Sequence, residues 1–350
     1  MNNNYCVKNL FRTLAFRISP ASRAVHVHVR QSESGPLYVD SHLCLTAHLL
    51  SSRPLRMKAP VGFIGIGIMG NGMTRRLLGG GVPLVVWNRS PDKCELLKSS
   101  FADLVTVAPT ARDVVAQCDV TFVMLSTPEA CKAVYASADG LLAGVSSGKK
   151  IIDCATLTPE DMISFDSEVR ARGGRFVEAP VSGSKGPAEQ GTLIFLTAGD
   201  KGVIEEAKPY FSLMGKATHI CGDDMGAGTR MKLVVNSIMG NMLACFSEGL
   251  HLTQASGLNP QSFLEIVSQG AIATPMFALK GPKMIAGEHP VNFPLKHAWK
   301  DIRFAIQLAK QLGVETDMSE ASARLYEQAD AQGLGDADFA AIAEVHKVQK

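Results

Sequence analysis

The sequence predicts an α/β fold in which a doubly wound parallel sheet is followed by an all-α region. Between about residues 60 and 222, short apolar runs alternate with helix-length segments, which is the pattern of βαβ units. After Gly228 the strand-like runs stop, and the remaining sequence has a helical pattern interrupted by Gly/Pro turns at 257–260 and 281–282. The length of 350 residues also exceeds the ~250–300 residues at which a single core stops growing. We therefore expect two folded domains.

Seven segments are predicted to be strands, because each is a short apolar run bounded by turn residues. They are residues 61–67, 83–89, 120–126, 149–155, 174–180, 192–199 and 217–221. Helical segments at 69–80, 91–99 and 128–138 separate the first of them. Thr158 is the predicted N-cap of a further helix, with Pro159 at its first position. The predicted organisation is a leader over residues 1–59, a sheet domain over 60–222 and a helical domain over 223–350.

The first 59 residues differ from the rest of the chain in charge. They contain eight Lys/Arg and two acidic residues, a net charge of +6, which leaves −4 for residues 60–350. The first 30 residues have no acidic residue and are rich in Arg and Ser between apolar positions, as in an organelle transit peptide. A disordered tail would have the same composition. So would an extension upstream of a true start at Met57, in which case we expect a cytosolic protein.

Composition and charge argue against three further classes. The mildly acidic charge of residues 60–350 is not that of a nucleic-acid-binding protein. The uncharged stretch at 233–247 has 15 residues and includes two asparagines, which is too short and too polar to span a bilayer. The eight cysteines show no C-x-x-C pair and no ligand-like spacing with histidine. We therefore expect no nucleic-acid, membrane or metal partner.

A glycine turn follows the first predicted strand and opens a helix. The sequence Gly65-Ile66-Gly67-Ile68-Met69-Gly70 fits G-x-G-x-x-G, in which backbone N–H groups bind a pyrophosphate at the helix N-terminus. Such turns also join strands to helices where no ligand binds, but the place of this one at the front of a repeated βα pattern favours a Rossmann-type dinucleotide site. The residues predicted to contact the cofactor here are Gly65, Gly67, Ile68, Met69 and Gly70.

The end of the second predicted strand indicates which dinucleotide binds. NAD sites usually place Asp or Glu there for the ribose 2′-hydroxyl, whereas this chain has Asn88, Arg89 and Ser90. Arg89 can pair with a 2′-phosphate, to which the other two can donate hydrogen bonds. The alternative is a surface arginine in a turn. The sequence favours NADPH.

The apolar segment "KLVVNSIMGNM" contains one lysine and one asparagine. Lys232 and Asn236 are four residues apart, so both side chains lie on one face of a helix. A buried cation is costly unless it is paired or used. The alternative is a lysine whose ammonium group reaches solvent.

A turn-rich loop follows the predicted strand at 174–180. Its Ser182 and Gly183 offer hydroxyl and N–H donors that could hold a carboxylate, although an ordinary loop uses the same residues.

Four motifs occur in a set order along the chain. They are G-x-G-x-x-G, A-P-V-S-G, G-x-G-x-x-x-K-x-x-x-N and Lys300-Asp301. This order resembles the β-hydroxyacid dehydrogenase family over about residues 61–345. Several segments are similar in particular to the plant-type glyoxylate/succinic semialdehyde reductases: "VWNRSPDKC", "FVEAPVSGSKGPAEQGTL", "KLVVNSIMGNM", "FPLKHAWKD" and "GLGDADF". The resemblance implies a Rossmann domain followed by a helical domain, with the active site in the cleft.

The resemblance also implies catalytic roles for the helix residues. Lys232 would be the catalytic proton donor, and Asn236 would orient it or hold the substrate. The chemistry agrees, since hydride transfer to an aldehyde carbon leaves charge on the oxygen, to which an ammonium group can donate a proton. Burial would lower the pKa of this lysine towards the working pH.

Other residues acquire binding roles from the same resemblance. Ser182 and Gly183 would bind the substrate carboxylate. Four positions match residues near the nicotinamide, the substrate or the catalytic lysine: Thr156, Phe293, Lys300 and Asp301. Alternatively, Phe293 is an aromatic residue of the core, and Lys300 and Asp301 are the charged start of a helix. Ala155 departs from the pattern, because relatives often carry serine there, so a hydroxyl contact to the cofactor is expected to be missing.

The expected function is NADPH-dependent reduction of small aldehyde-acids, from glyoxylate to glycolate and from succinic semialdehyde to 4-hydroxybutyrate. The first alternative is a 3-hydroxyisobutyrate dehydrogenase, and the second is a non-catalytic scaffold with the dehydrogenase fold. We also expect a homo-oligomer and an organellar location, with a plastid favoured over a mitochondrion.

Overall fold

A computed structural model describes residues 59–346, and the predictions for the leader lie outside these residues. The strands within this range are β1 (Val61–Ile64), β2 (Leu84–Trp87), β3 (Val105–Val107), β4 (Val120–Val123), β5 (Lys150–Asp153), β6 (Arg175–Glu178), β7 (Val181–Ser182), β8 (Leu193–Gly199) and β9 (Gly215–Gly222). The α-helices up to β9 are α1 (Ile68–Gly79), α2 (Asp92–Ser100), α3 (Ala111–Gln117), α4 (Pro128–Ala136), α5 (Pro159–Arg170), α6 (Lys185–Gln190) and α7 (Lys201–Met214). Those after it are α8 (Ala227–Ala255), α9 (Pro260–Gln269), α10 (Pro275–Ala286), α11 (Leu295–Leu312) and α12 (Asp317–Ala329).

The described strands form one sheet in the order β3-β2-β1-β4-β5-β6-β8-β7, with β9 beside β8. The first six are parallel, and their order 3-2-1-4-5-6 is that of a doubly wound dinucleotide-binding sheet. The strand order reverses between β1 and β4, where ligands bind beyond the carboxyl ends of the strands. The predicted α/β fold, with its Rossmann-type sheet and helical C-terminal region, is confirmed.

The far edge of the sheet differs from a purely parallel one. Strand β8 runs antiparallel to β6 and β7, while β9 returns parallel to β8. Alternation of apolar runs with helices shows that segments are strands, but it does not show in which direction each one enters the sheet. Strands β3 and β7 were not predicted, because three and two residues are too short to give a pattern.

The predicted helix start at Thr158 is confirmed. Its hydroxyl accepts from the backbone N–H of Asp161, and the Asp161 side chain returns a contact to the N–H of Thr158, which makes a capping box. Pro159 occupies the first turn, where its missing N–H costs no hydrogen bond. The cap fixes where the chain leaves Thr156 and turns into α5.

Helix α8 is the long element after the sheet, with 29 residues. It is the one helix of the described chain whose length and composition would let it cross a membrane. In the structure it packs against α11, α12 and β8, as a core helix does. The described residues belong to one compact unit, so the division into two domains at residue 222 stays a prediction.

Candidate active site

The three glycines of the turn after β1 meet different requirements. Gly65 has φ +100°, and a Cβ there would meet the carbonyl oxygen of Met124. A Cβ on Gly70 would meet the Gly65 carbonyl, whereas one on Gly67 would find no atom within 4 Å. The outer glycines are therefore required by the packing of α1 on the sheet. The middle one leaves open space at the N-terminus of α1, where a pyrophosphate can approach backbone N–H groups.

Asn88 ties the end of β2 to the glycine turn. Its Oδ1 accepts a hydrogen bond from the Ile66 N–H at 2.9 Å, and its Nδ2 donates to the Ser90 carbonyl at 2.9 Å. Asn88 therefore stabilises the conformation of the loop after β2. Its contact with a cofactor phosphate stays a prediction. Arg89 and Ser90 are exposed at the mouth of the cavity described next.

A cavity of about 380 Å³ lies beyond the carboxyl ends of β1, β2 and β4. Most of the predicted site residues line it: Gly65, Gly67, Ile68, Met69, Gly70, Asn88, Arg89, Ser90, Thr156, Phe293, Lys300 and Asp301. Lys93, Asn292 and His297 also line it and were not predicted. The sheet and the helical region therefore both contribute to one cleft.

Lys232 and Asn236 are outside the cavity lining but are joined to it by hydrogen bonds. Lys232 Nζ donates to Asn236 Oδ1 at 2.7 Å, and Asn236 Nδ2 donates to Asp301 Oδ2 at 2.7 Å. Asp301 Oδ1 accepts from Lys300 Nζ at 2.7 Å, and Lys300 Nζ also donates to the carbonyl of Thr156. The amide of Asn236 thus links the two charged groups and holds the lysine in one place.

Burial alters the acidity of Lys232. The residue is 5% exposed, so its ammonium group does not reach solvent as a surface lysine would. Burial lowers the pKa of Lys232 to about 8, with Asp301 acting to raise it and Lys300 to lower it further. A lysine with this pKa is largely protonated at neutral pH and can still release its proton readily.

The loop with Ser182 and Gly183 is beside the cavity rather than in its lining. Ser182 ends β7, and Gly183 has φ +128°, a conformation that favours glycine. The loop reaches the cavity wall where the Lys185 N–H donates to the Asn292 carbonyl at 3.4 Å. Binding of a substrate carboxylate by Ser182 and Gly183 stays a prediction.

Glu178 was missed by the sequence analysis. It is fully buried at the end of β6, and its carboxylate accepts from the N–H groups of Gly226, Gly228 and Thr229 at 2.6, 3.0 and 3.1 Å, and from the Thr229 hydroxyl. These are the donors at the N-terminus of α8, which carries Lys232. The start "GAGT" contains no side-chain cap of its own, and this was the available signal that an acid from elsewhere must supply one.

A second buried acid supports the Thr156 turn. Asp153 at the end of β5 accepts from the Tyr135 hydroxyl at 2.6 Å and from the Ala155 N–H at 2.8 Å. Burial raises the pKa of Asp153 to about 6, against the lowering effect of these two hydrogen bonds. Ala155 is fully buried, so the expected departure from a serine leaves a packed methyl group at this point.

Comparison with known proteins decides the family. Residues 60–222 match the model of the NAD binding domain of 6-phosphogluconate dehydrogenase, and residues 226–346 match that of the NAD-binding region of NADP-dependent 3-hydroxyisobutyrate dehydrogenase. The chain is 41% identical to the chloroplastic glyoxylate/succinic semialdehyde reductase 2 of Arabidopsis thaliana, over 93% of this chain and 92% of that one. It is 42% identical to reductase 1 of the same plant, over 83% of this chain and 99% of that one. The protein belongs to the β-hydroxyacid dehydrogenase family.

A solved structure supports the same fold. The 3-hydroxyisobutyrate dehydrogenase of Salmonella typhimurium superimposes with a TM-score of 0.75, covering 82% of this chain and 99% of that one, at 21% identity. As a β-hydroxyacid dehydrogenase, the protein is an NAD(P)-dependent oxidoreductase, and most of the residues predicted to contact its cofactor line the cavity described above. Among the described residues, no group of three or more His, Cys, Asp or Glu side chains could hold a metal ion.

Proposed function

We propose that the protein is an NADPH-dependent reductase of small aldehyde-acids, which converts glyoxylate to glycolate and succinic semialdehyde to 4-hydroxybutyrate. The observation that carries the proposal is the buried Lys232, whose ammonium group is joined through Asn236 to Asp301 in the wall of the cofactor cavity. The names of the two Arabidopsis relatives support the substrate class.

The preference for NADPH rests on the end of β2. Arg89, Ser90 and Lys93 line the cavity there, and the one carboxylate among the lining residues, Asp301, comes from α11 rather than from the end of β2. A guanidinium group can pair with a 2′-phosphate through two hydrogen bonds, whereas NAD sites use an acid for the 2′-hydroxyl. When bound, NADPH supplies the hydride that reduces the aldehyde carbon.

Lys232 supplies the proton. Charge develops on the carbonyl oxygen during reduction, and a buried ammonium group stabilises that charge before it gives up its proton. Asn236 orients the lysine, because its Oδ1 accepts a hydrogen bond from Lys232 Nζ at 2.7 Å. Asp301 keeps a positive charge on this buried group at neutral pH, since its own charge acts to raise the lysine's pKa.

Ser182 and Gly183 bind the carboxylate of the substrate. Their loop contacts the Asn292 segment of the cavity wall through Lys185, so a small acid held there would lie between the loop and the cofactor site. The polar donors of the loop suit a carboxylate, which all of the proposed substrates share.

A steady-state assay with the full chain tests this function. NADPH oxidation is followed with glyoxylate, succinic semialdehyde and methylmalonate semialdehyde, the last being the product expected of a 3-hydroxyisobutyrate dehydrogenase. We expect kcat/KM to be highest for one of the first two. A higher value for the third would favour the alternative dehydrogenase, and no turnover with tight NADPH binding would favour the non-catalytic scaffold.

We also propose an organellar location, with a plastid ahead of a mitochondrion. The Arg/Ser-rich composition of the first 30 residues supports it, as does the chloroplastic name of one relative. The homo-oligomer and the absence of nucleic-acid and membrane partners remain proposals of the same kind.

A further inference from the structure

The segment Asn292–Phe293 of the cavity wall is held by a carboxylate that follows it by more than forty residues. Asp338 Oδ2 accepts from the N–H groups of Asn292 and Phe293 at 2.9 and 3.2 Å. The N–H of Phe339 donates back to the Phe293 carbonyl at 2.9 Å. Asp338 belongs to the segment "GLGDADF", to which the proposed function gives no role.

The other oxygen of Asp338 is used by a buried cation. Lys280 Nζ lies 2.6 Å from Asp338 Oδ1, and the two residues are 3% and 1% exposed. The Ala340 N–H also donates to Oδ1, at 3.1 Å. Stability alone does not explain such a pair, because apolar residues of similar volume at buried ion-pair positions often give an equally stable fold.

The backbone and the ring of Phe293 are both held by residues of the Lys280–Asp338 pair and its neighbour Phe339. The carboxylate fixes the backbone N–H groups on one side, and the Phe293 ring packs edge-on against Phe339, with ring centroids 5.5 Å apart and planes at 68°. Lys280 Nζ in turn lies 5.0 Å from the centroid of the Phe339 ring. The ion pair therefore holds the backbone of Phe293 and the Phe339 ring against which it packs, and these determine where Phe293 lies in the cavity wall.

We propose that Asp338 and Lys280 are positioning residues that set the place of Phe293 in the cavity wall, and through it the affinity for cofactor and substrate. The substrate part of this inference rests on the proposed function. The cofactor part does not, since Asn292 and Phe293 line the cavity in which the dinucleotide fits.

The test uses the double variant Lys280→Met/Asp338→Leu. It replaces both charges by apolar side chains, so that neither partner is left buried and unpaired. We expect a folded protein with a lowered melting temperature, because the N–H groups of Asn292, Phe293 and Ala340 lose their acceptor. The KM for aldehyde and the Kd for NADPH should rise by about tenfold or more, as small misplacements in a site produce. Asp338→Asn alone leaves Lys280 unpaired and is expected to lose stability as well.

A double-mutant cycle with Phe293→Ala asks whether the pair acts through Phe293. If it does, adding Lys280→Met/Asp338→Leu to Phe293→Ala changes KM and Kd by less than about threefold, because interacting sites are not additive. Asp200→Asn is the matched control: Asp200 is also paired, to Arg175, but caps α7 away from the cavity. It is expected to lower the melting temperature without changing KM or Kd.

Unchanged KM and Kd in a folded Lys280→Met/Asp338→Leu protein would overturn the inference and leave the pair a structural one. Full additivity with Phe293→Ala would also overturn it. If the unmutated chain binds NADPH but reduces no aldehyde, the proposed function fails, and the NADPH dissociation constants of the same cycle still decide the inference.

Discussion

At the scale of single residues, Lys232 combines burial, a fixed hydrogen bond and two charged neighbours of opposite sign. The first of these lowers its pKa, and Asp301 and Lys300 then act in opposite directions on it. The lysine was predictable from the sequence because a cation in an apolar helix stands out, as does an asparagine one turn later. Its coupling to Lys300 was not predictable, since it arises only when α11 packs on α8.

The pH profile of the reaction follows from the pKa of about 8 for Lys232. Reduction needs the protonated lysine, so its kcat/KM should be constant below this value and fall about tenfold per pH unit above it. Oxidation of the alcohol needs the neutral lysine and should show the opposite slope, rising up to about pH 8. Rate measurements in both directions between pH 6 and about pH 10 check this.

Two variants with opposite expected effects test whether the pH profile reports the titration of Lys232. Asp301→Asn removes a charge that raises the pKa of Lys232, so the break in the profile should move to lower pH. Lys300→Met removes a charge that lowers it, so the break should move to higher pH. Shifts of the same sign in both variants would assign the profile to another group.

Arg89 determines the cofactor preference if it pairs with the 2′-phosphate. We expect NADPH to be favoured over NADH by at least about tenfold in kcat/KM, or roughly 1.4 kcal/mol. Arg89→Asp should reverse the order, because a carboxylate repels the phosphate and accepts from a 2′-hydroxyl. Equal kcat/KM values for the two cofactors in the unmutated protein would be inconsistent with this role.

At the scale of elements, the sequence predicted the seven longer strands, the start of α5 and the transition to helices after β9. These are local patterns of apolar residues, glycines and caps. The antiparallel entry of β8 was beyond prediction because it depends on how the chain crosses the sheet. The start of α8 indicated that it needs a cap from elsewhere, but it did not indicate which acid. The hydrogen bonds of Glu178 and of Asp338 join residues about fifty positions apart, so neither partner could be identified from the sequence.

Glu178 provides a test of how α8 is held. In Glu178→Gln the amide NH₂ would face backbone donors that the carboxylate now accepts from, leaving buried groups unsatisfied. The free energy of unfolding should fall by about 2–3 kcal/mol, measured by urea denaturation. Glu205→Gln is the matched control, since Glu205 pairs with Lys208 at the surface and its loss should change stability by less than about 1 kcal/mol. Equal losses in the two variants would show that Glu178 is not the cap of α8.

At the scale of the whole molecule, the cavity is made where the sheet and the helical region meet. Lys300 of α11 donates to the Thr156 carbonyl after β5, and Glu178 of β6 caps α8. The residues that line the cavity come from segments far apart in sequence. From the sequence, only the family resemblance carried by the order of the four motifs indicated that these segments would form one site.

The leader should have no part in folding or catalysis if it only directs the protein to an organelle. A chain without residues 1–56 should then have the same melting temperature and kcat as the full chain. A fluorescent protein fused to the leader should enter an organelle. Diffuse cytosolic fluorescence would remove the targeting role and leave a disordered tail or a start at Met57.

Two substitutions of Lys232, by alanine and by arginine, test its role most directly. The kcat and the NADPH Kd of each variant distinguish a proton donor from a fixed positive charge. Lys232→Ala should lower kcat by about 10²-fold or more, the effect of losing a positioned general acid, with NADPH Kd nearly unchanged. Lys232→Arg should be almost as slow, because a guanidinium group keeps the charge but does not release a proton near neutral pH. Near-normal kcat in Lys232→Arg would make the lysine a fixed charge, and near-normal kcat in Lys232→Ala would contradict a catalytic role altogether.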